Sequence, residues 1–598
     1  MTARFAHSLP WGTELIDGGA RFQLWAPAQN KVSVLSENGA RIPMTKTTDG
    51  WFEVTTDAVS PGDGYHFVLA DGARVPDPAS RAQMSDVHGM SQLVDPLSYE
   101  WQTPDWKGRP WEEAVIYELH AGTFSPEGSF DGVTRDLDRL VDMGVTAIEI
   151  MPVAQFGGDR GWGYDGVLLY APHTAYGGPV GLKHLVDAAH ERDLMIVLDV
   201  VYNHFGPDGN YLHLYAPDFF DPKRRTPWGA AIAFERKPVR EFFFHNMLYW
   251  LEEFRFDGLR FDAIDHIRDA SDEPLLIKMA REVRARFPDR HIHLTIEDED
   301  NSTRLLKYDH DNRPRLFTAA WNDDWHHAMH ALLTGENAGY YQDYADAPTK
   351  RIAETMVLGF GYQGEPSPYH GGRKRGESSA HLPPIAFVDF LQNHDQVGNR
   401  ARGDRLTHLA PAPAVEVALT LLMLSPHIPL LFMGEEYGEK NPFYFFTDFT
   451  GDLAEAVRKG RNNEFRNNQA FAEAGAEDLI PDPNALSTFT ASKLAPKTTE
   501  RAQFVKRLIA ARFEHIVPRL TRIGGDAGTV EALEGNAFAV SWKLADGAKL
   551  MLIANFADTQ ATLPLKEVGV PFFTYPDASL AQDNLPPWSV VVSISGQE

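Results

Sequence analysis

Residues 194–201 read LMIVLDVV, apolar on both faces of an extended chain except for one aspartate. Side chains alternate along a strand, so a run without a polar face is a strand covered on both sides, the condition of a parallel sheet. Seven further runs share this character: AVIYELH (114–120), TAIEIMP (146–152), GLRFDAI (258–264), HIHLTIED (291–298), RLFTAAW (315–321), IAFVDFLQ (385–392) and IPLLFMG (428–434). Between them lie segments of helical period, among them VTRDLDRLVDMG (133–144), GLKHLVDAAHERD (181–193), PVREFFFHNMLYWLEEF (238–254) and DEPLLIKMAREVRARF (272–287). Eight buried parallel strands alternating with helices predict a closed (β/α)8 TIM barrel. A doubly wound open sheet is the alternative, but it favours a glycine-rich phosphate loop after an early strand, and the chain has none there.

The barrel pattern begins near residue 111. Before it, short alternating segments such as RFQLWAP (21–27) and KVSVLSE (31–37) are separated by the turns ENGA, PGDG and ADGA, the pattern of a small β-sandwich. The expected division is an N-terminal β-sandwich over 1–100, the catalytic barrel with long loop insertions over 101–524, and a small C-terminal β domain over 525–598. The last contains AFAVSWKL (537–544), KLMLIANF (549–556) and WSVVVSIS (588–595). Two connections, 202–237 and 361–384, are too long to serve only as links and are expected to build a site.

Composition removes several classes of function. The chain has no cysteine, which excludes disulfides and thiolate chemistry, and its net charge of −27 argues against nucleic acid or an anionic membrane as partner. The N-terminus, MTARFAHSLPWGTEL, carries no basic region followed by a long apolar run, and a cytoplasmic location is expected.

In a TIM barrel the active site lies at the C-terminal ends of the strands. There the third run brings Asp199, Asn203 and His204, the fourth Arg260, Asp262, Asp265 and His266, the fifth Glu297, and the seventh His394, Asp395 and Arg400. Each acid alone can be a satisfied structural group, with Arg260 and Asp262 an ordinary ion pair. Acids converging from four strands carry a cost in mutual repulsion that function explains better than stability. Two carboxyl groups flanking a bond between sugars perform glycoside hydrolysis. On this reading Arg260 keeps Asp262 ionised as the nucleophile, and Glu297, its pKa raised by anionic neighbours, is the general acid. A metal site is the rival, but each candidate strand offers Arg or Asn beside its acid, so neither metal nor cofactor is expected.

The stretches DVVYNH (199–204), GLRFDAIDH (258–266), IEDEDN (296–301) and FLQNHD (390–395) resemble, in order, the four short motifs of the α-amylase family of glycoside hydrolases. The resemblance implies a retaining mechanism with Asp262 as nucleophile, Glu297 as general acid/base and Asp395 holding substrate hydroxyls and stabilising the transition state. It also implies that His204 and His394 donate to the sugar being cleaved, that Arg260 partners the nucleophile, and that Tyr164 of GWGYDG is the platform under that sugar. Asp199, Asp265, His266 and Arg400 are expected among the substrate-binding residues. The third motif is unusually acidic over 297–300. Glu297 follows the apolar run directly, whereas Glu299 shares its face further out, so Glu297 is the expected acid.

Further stretches narrow the resemblance: GYDGVLLYAPHTAYGGP (163–179), NHFGPDGNYL (203–212), TPWGAAI (226–232), YQGEPSPYHGGRKRGESSAHLPP (362–384), LLFMGEEYGEKNPFYFFTDF (430–449) and DPNALSTFTASKL (482–494). They are similar to the family branch that hydrolyses the α-1,4 bond beside the terminal trehalose of maltooligosyltrehalose, releasing trehalose and a maltooligosaccharide. The implied partners are these α-1,4-glucans and the synthase that makes maltooligosyltrehalose. Trp228 and residues of 361–384 are the candidates for reading the trehalose end. Glycogen branching enzyme, which passes the glycosyl group to another glucan, is the nearest alternative. A catalytically silent glucan-binding barrel is a third, opposed by the presence of all three acids.

Overall fold

The computed structural model describes residues 3–227, 229–466, 480–565, 567–576 and 584–596. Each of the eight apolar runs contains one strand of a closed parallel barrel. These are β1 (Ile116–Leu119), β2 (Ala147–Ile150), β3 (Met195–Val200), β4 (Gly258–Phe261), β5 (His293–Ile296), β6 (Ala319–Trp321), β7 (Phe387–Phe390) and β8 (Ile428–Phe432). The ring closes where Ile116 of β1 pairs with Leu430 of β8. Register sets the site: Asp199 of β3 lies opposite Arg260 of β4, and Arg260 opposite Thr295 of β5. Burial on both faces explains the absence of polar alternation in the runs.

The four helical segments form at Phe130–Met143, Gly178–His190, Lys237–Glu252 and Leu275–Arg286. The first shows why. Ser129 caps it by accepting the Gly132 N–H, Phe130, Val133, Leu137 and Leu140 form its buried stripe, and Gly144 ends it at φ 99°.

The N-terminal residues form two antiparallel sheets. One contains Gly12–Ile16, Gly19–Trp25, Trp51–Thr56 and Thr45–Lys46; the other is built around Ser33–Ser36 and Gly64–Val68. Phe22 of the first meets Tyr65 of the second edge to face at 5.0 Å, which places a shared core between them. At the other end of the chain, Gly528–Glu534, Ala537–Lys543, Lys549–Asn555, Ser589–Ser595 and Val570–Tyr575 make a five-stranded antiparallel sheet in that order.

Both long connections carry hairpins of their own. Phe220–Thr226 pairs with Gly229–Ile232, and Glu365–Ser367 with Arg373–Arg375. Gly376, at φ +85°, follows the second hairpin where a Cβ would stand 1.8 Å from the carbonyl oxygen of Tyr362, so this close return of the chain admits no side chain.

Candidate active site

The site is assembled around one arginine. Arg260 is fully buried; its Nη1 donates to Asp199 Oδ2 at 2.8 Å and to Asp262 Oδ1 at 2.9 Å, and its Nη2 lies 2.7 Å from Glu297 Oε2. The guanidinium sits 4.2 Å above the ring of Trp321 at the end of β6. A planar fork with five donors is well suited to serve three carboxylates at once. The sequence reading paired Arg260 with Asp262 alone; the fold makes it the common partner of three acids.

β4 ends at Phe261, and Ala263 turns the chain away in a left-handed conformation at φ 39°. That turn aims the Ala263 N–H at Glu297 Oε2, 3.0 Å away. Asp262 is free of the strand, with 13% of its side chain exposed, against 20% for Glu297 and 36% for Asp395. Asn203 donates its Nδ2 to Asp262 Oδ2 at 2.8 Å. Asp395 lies in the first turn of helix His394–Gly398, capped by Asn393 in a reciprocal box with Gln396.

Tyr164 and the two motif histidines line the same space. The Tyr164 hydroxyl donates to Asp199 Oδ2 at 2.6 Å, and its ring stacks on His394 at 5.1 Å and 21°. Gly163 makes this possible, since at φ +102° a Cβ would sit 1.9 Å from the Pro152 carbonyl oxygen. His204 is held by its Nε2, 3.0 Å from the Tyr164 carbonyl oxygen.

Two cavities meet at the acids. One, of 370 Å³, is lined by Tyr164, His204, Asp262 and His394. The other, of 280 Å³, is lined by Asp265, His266, His327, Tyr340, Tyr369 and Arg375. Ala263, Glu297 and Asp395 belong to both walls. Asp262, Glu297 and Asp395 thus border the place where the two cavities meet.

Burial raises the Glu297 pKa, against the pull of Arg260, and Asp262 adds to the rise. The expected direction holds, but desolvation outweighs the anionic neighbours invoked from the sequence. Burial likewise takes Asp199 to about 7 in spite of Arg260, and Asp265 to about 6. Asp323, in the second cavity, is pushed to about 8 by burial and then by Glu297.

Of the residues singled out in the sequence, Asp199, His204, Arg260, Asp262, Asp265, His266, Glu297, His394 and Asp395 come together with Tyr164. Arg400 does not join them. Both of its Nη atoms are bonded to Glu336, at 2.9 and 2.7 Å, and it lines neither cavity. Trp228 lies outside the described residues. Glu299 is further out, as its register requires, with Oε1 3.4 Å from His370 Nε2. The sequence reading missed Glu118, Glu149, Trp321 and Asp323. The first two had a signal, a lone carboxylate inside a run otherwise apolar on both faces. Among the described residues, no group of three or more His, Asp or Glu is disposed to hold a metal ion.

Residues 80–217 match the model for the alpha amylase catalytic domain, and 525–592 match a domain of unknown function, DUF3459. The malto-oligosyltrehalose trehalohydrolase of Saccharolobus solfataricus is 41% identical over 85% of this chain and 87% of its own length. That of Rhizobium sp. is 35% identical over 96% and 98%. The chain belongs to the malto-oligosyltrehalose trehalohydrolase family. A crystal structure of a Salmonella typhimurium protein provisionally called an alpha amylase superposes with a TM-score of 0.94 at 50% identity, covering 98% of this chain and all of the other. The likeness at that identity extends from the sandwich through the barrel to the C-terminal sheet.

Proposed function

We propose that this protein is a retaining glycoside hydrolase that cleaves the α-1,4-glucosidic bond beside the terminal trehalose of maltooligosyltrehalose, releasing trehalose and a maltooligosaccharide. The observation that carries the reading is the junction of the two cavities, where Glu297 and Asp395 belong to both walls and Asp262 to one. Asp262 attacks the anomeric carbon of the sugar stacked on Tyr164. Glu297, whose pKa burial raises, delivers a proton to the leaving oxygen, and the released sugar departs through the second cavity. Water then attacks the glycosyl–Asp262 ester while Glu297 takes back a proton, and Asp395 binds hydroxyls of the distorted sugar. Asp262 and Glu297 sit on neighbouring nitrogens of one guanidinium, which favours the close spacing of retaining enzymes over the wider one that admits a water between.

The second cavity is the trehalose side in this reading. Its outer wall is built by the 365–375 hairpin and by Tyr340. Tyr369 is 44% exposed, and its backbone N–H is held by Asp343 Oδ1 at 2.8 Å, so the ring faces the cavity as an anchored surface. A Tyr369→Ala enzyme is expected to raise KM for maltooligosyltrehalose about 3- to 10-fold, the worth of one aromatic contact, with a smaller change for a maltooligosaccharide of equal length. Equal losses on the two substrates would remove Tyr369 from the trehalose side.

The reading is tested by product analysis. Incubated with maltooligosyltrehalose, the protein should release free trehalose, and it should cleave the plain maltooligosaccharide little. New α-1,6 branches on a long glucan without free trehalose would instead make it a branching enzyme. The same proposal includes the domain division at residues 100 and 524, a cytoplasmic location, and a synthase of maltooligosyltrehalose as supplier of the substrate.

A further inference from the structure

Glu118 and Glu149 are buried carboxylates of the barrel interior that the mechanism above does not use, and Glu118 grips His394, which lines the cavity of the attacked sugar. Glu118 on β1 places both oxygens on a single residue. Its Oε1 lies 2.5 Å from His394 Nδ1, and its Oε2 accepts the His394 backbone N–H at 3.1 Å. Both side chains are 1% exposed. The contact reaches past β8, the strand between β1 and β7, to fasten the start of the helix that carries Asp395. The ring is fixed from its faces and edges as well. Tyr164 stacks on one face, and Trp162 meets it edge to face at 5.5 Å and 88°. With Nδ1 committed to Glu118, only Nε2 remains, and it stands 3.4 Å from Asp395 Oδ2 on the wall of the cavity that holds the attacked sugar.

From this geometry we infer that Glu118 is a positioning residue of the hydrolytic site, holding His394 as a doubly protonated imidazolium whose Nε2–H is a permanent cationic donor beside Asp395. The inference rests on the hydrolase reading, since it assigns a state to a group of that site. A neutral imidazole, its one N–H given to Glu118 through Nδ1, would turn an Nε2 lone pair toward the Asp395 carboxylate.

The electrostatic surroundings agree. Burial works against charge on His394, but Asp395 and then Glu118 outweigh it and lift its pKa to about 10, with Arg260 opposing. The other ionisable groups around the ring are Glu149 of β2, Asp199 of β3 and Glu297 after β5, all felt by His394, together with His120 after β1 and Tyr164. Glu149 is buried, and neither of its oxygens has a hydrogen-bond partner. Burial raises its pKa well above the ordinary range, and it makes no hydrogen bond to the ring that could replace that of Glu118.

The test is Glu118→Gln, which keeps shape and hydrogen-bonding capacity and removes the charge. Without Glu118, burial lowers the point at which His394 loses its proton toward that of Glu297, whose own deprotonation as general acid bounds activity at high pH, so the alkaline limb of kcat/KM steepens and moves to lower pH. Above the displaced limb, activity falls about tenfold per pH unit relative to wild type. Glu118→Asp keeps the charge on a shorter arm; it should lower kcat while leaving the limb where wild type has it. A merely structural role predicts a loss that is the same at every pH, and superimposable normalised profiles for Glu118→Gln and wild type would overturn the inference. Failure of both variants to fold would also overturn it, by making Glu118 a structural residue. The profiles are taken on whichever α-1,4-glucan the wild type cleaves, so a wild type that releases no trehalose sinks the substrate assignment without touching this test.

Discussion

An Asp262→Asn enzyme is expected to keep its fold and to lose at least about 10⁴-fold in kcat, the scale on which removal of a nucleophile acts. The amide is almost isosteric with the carboxylate but cannot form the glycosyl ester. The structural cost is small for identifiable reasons. Asp262 accepts from Arg260 Nη1 at 2.9 Å and from Asn203 Nδ2 at 2.8 Å, and an asparagine has one acceptor oxygen to offer, so one donor must turn to water. With 13% of the side chain exposed, water can reach it. Arg260 also keeps Asp199 and Glu297. A loss of about 1–2 kcal/mol is expected, too little to unfold the barrel. Single-turnover kinetics beside a thermal melt would check both halves. A melt near that of wild type with a normal rate would mean that the nucleophile is another group.

The barrel was legible because burial on both faces leaves a mark that does not depend on tertiary detail. Each of the eight strands falls inside an apolar run, and the motif acids lie at the strand ends that register makes contiguous. What sequence could not supply was the sharing of groups between strands. Arg260 reads as a partner of the residue two places on, yet two of its three carboxylates come from β3 and the end of β5, brought near by the ladder pairs Asp199 with Arg260 and Arg260 with Thr295. Arg400 failed in the opposite sense. It follows a catalytic motif by five residues, but the helix between carries it off to Glu336. Glu118 needed only the question that Asp199 had raised, namely why a carboxylate stands in a run with no polar face; its partner was 276 residues away and invisible without the fold.

Arg260→Met should be the most damaging change to stability in the site. The thioether side chain can still lie on Trp321, where the guanidinium now sits at 4.2 Å, so packing is largely preserved while the charge is lost. Asp199, Asp262 and Glu297 then share a buried space with no cation between them. Removing one side of a buried ionic group costs about 3–5 kcal/mol at neutral pH, and activity should fall with it. The pH dependence separates charge from packing. Burial already raises Asp199 to about 7, and raises Glu297, with Arg260 opposing both rises. Without Arg260 both rise further. A carboxyl whose folded pKa exceeds its unfolded value of about 4 holds a proton that the unfolded chain has released, so its penalty on folding begins near pH 4 and grows until the folded pKa is reached. The variant's deficit relative to wild type should therefore be larger at pH 8 than at pH 5.5. It would be read as the midpoint of the first thermal transition, since a barrel joined to sheets at both ends need not melt in one step. A deficit equal at the two pH values would mean that the arginine supports the site by packing on Trp321 and that the three acids do not depend on its charge.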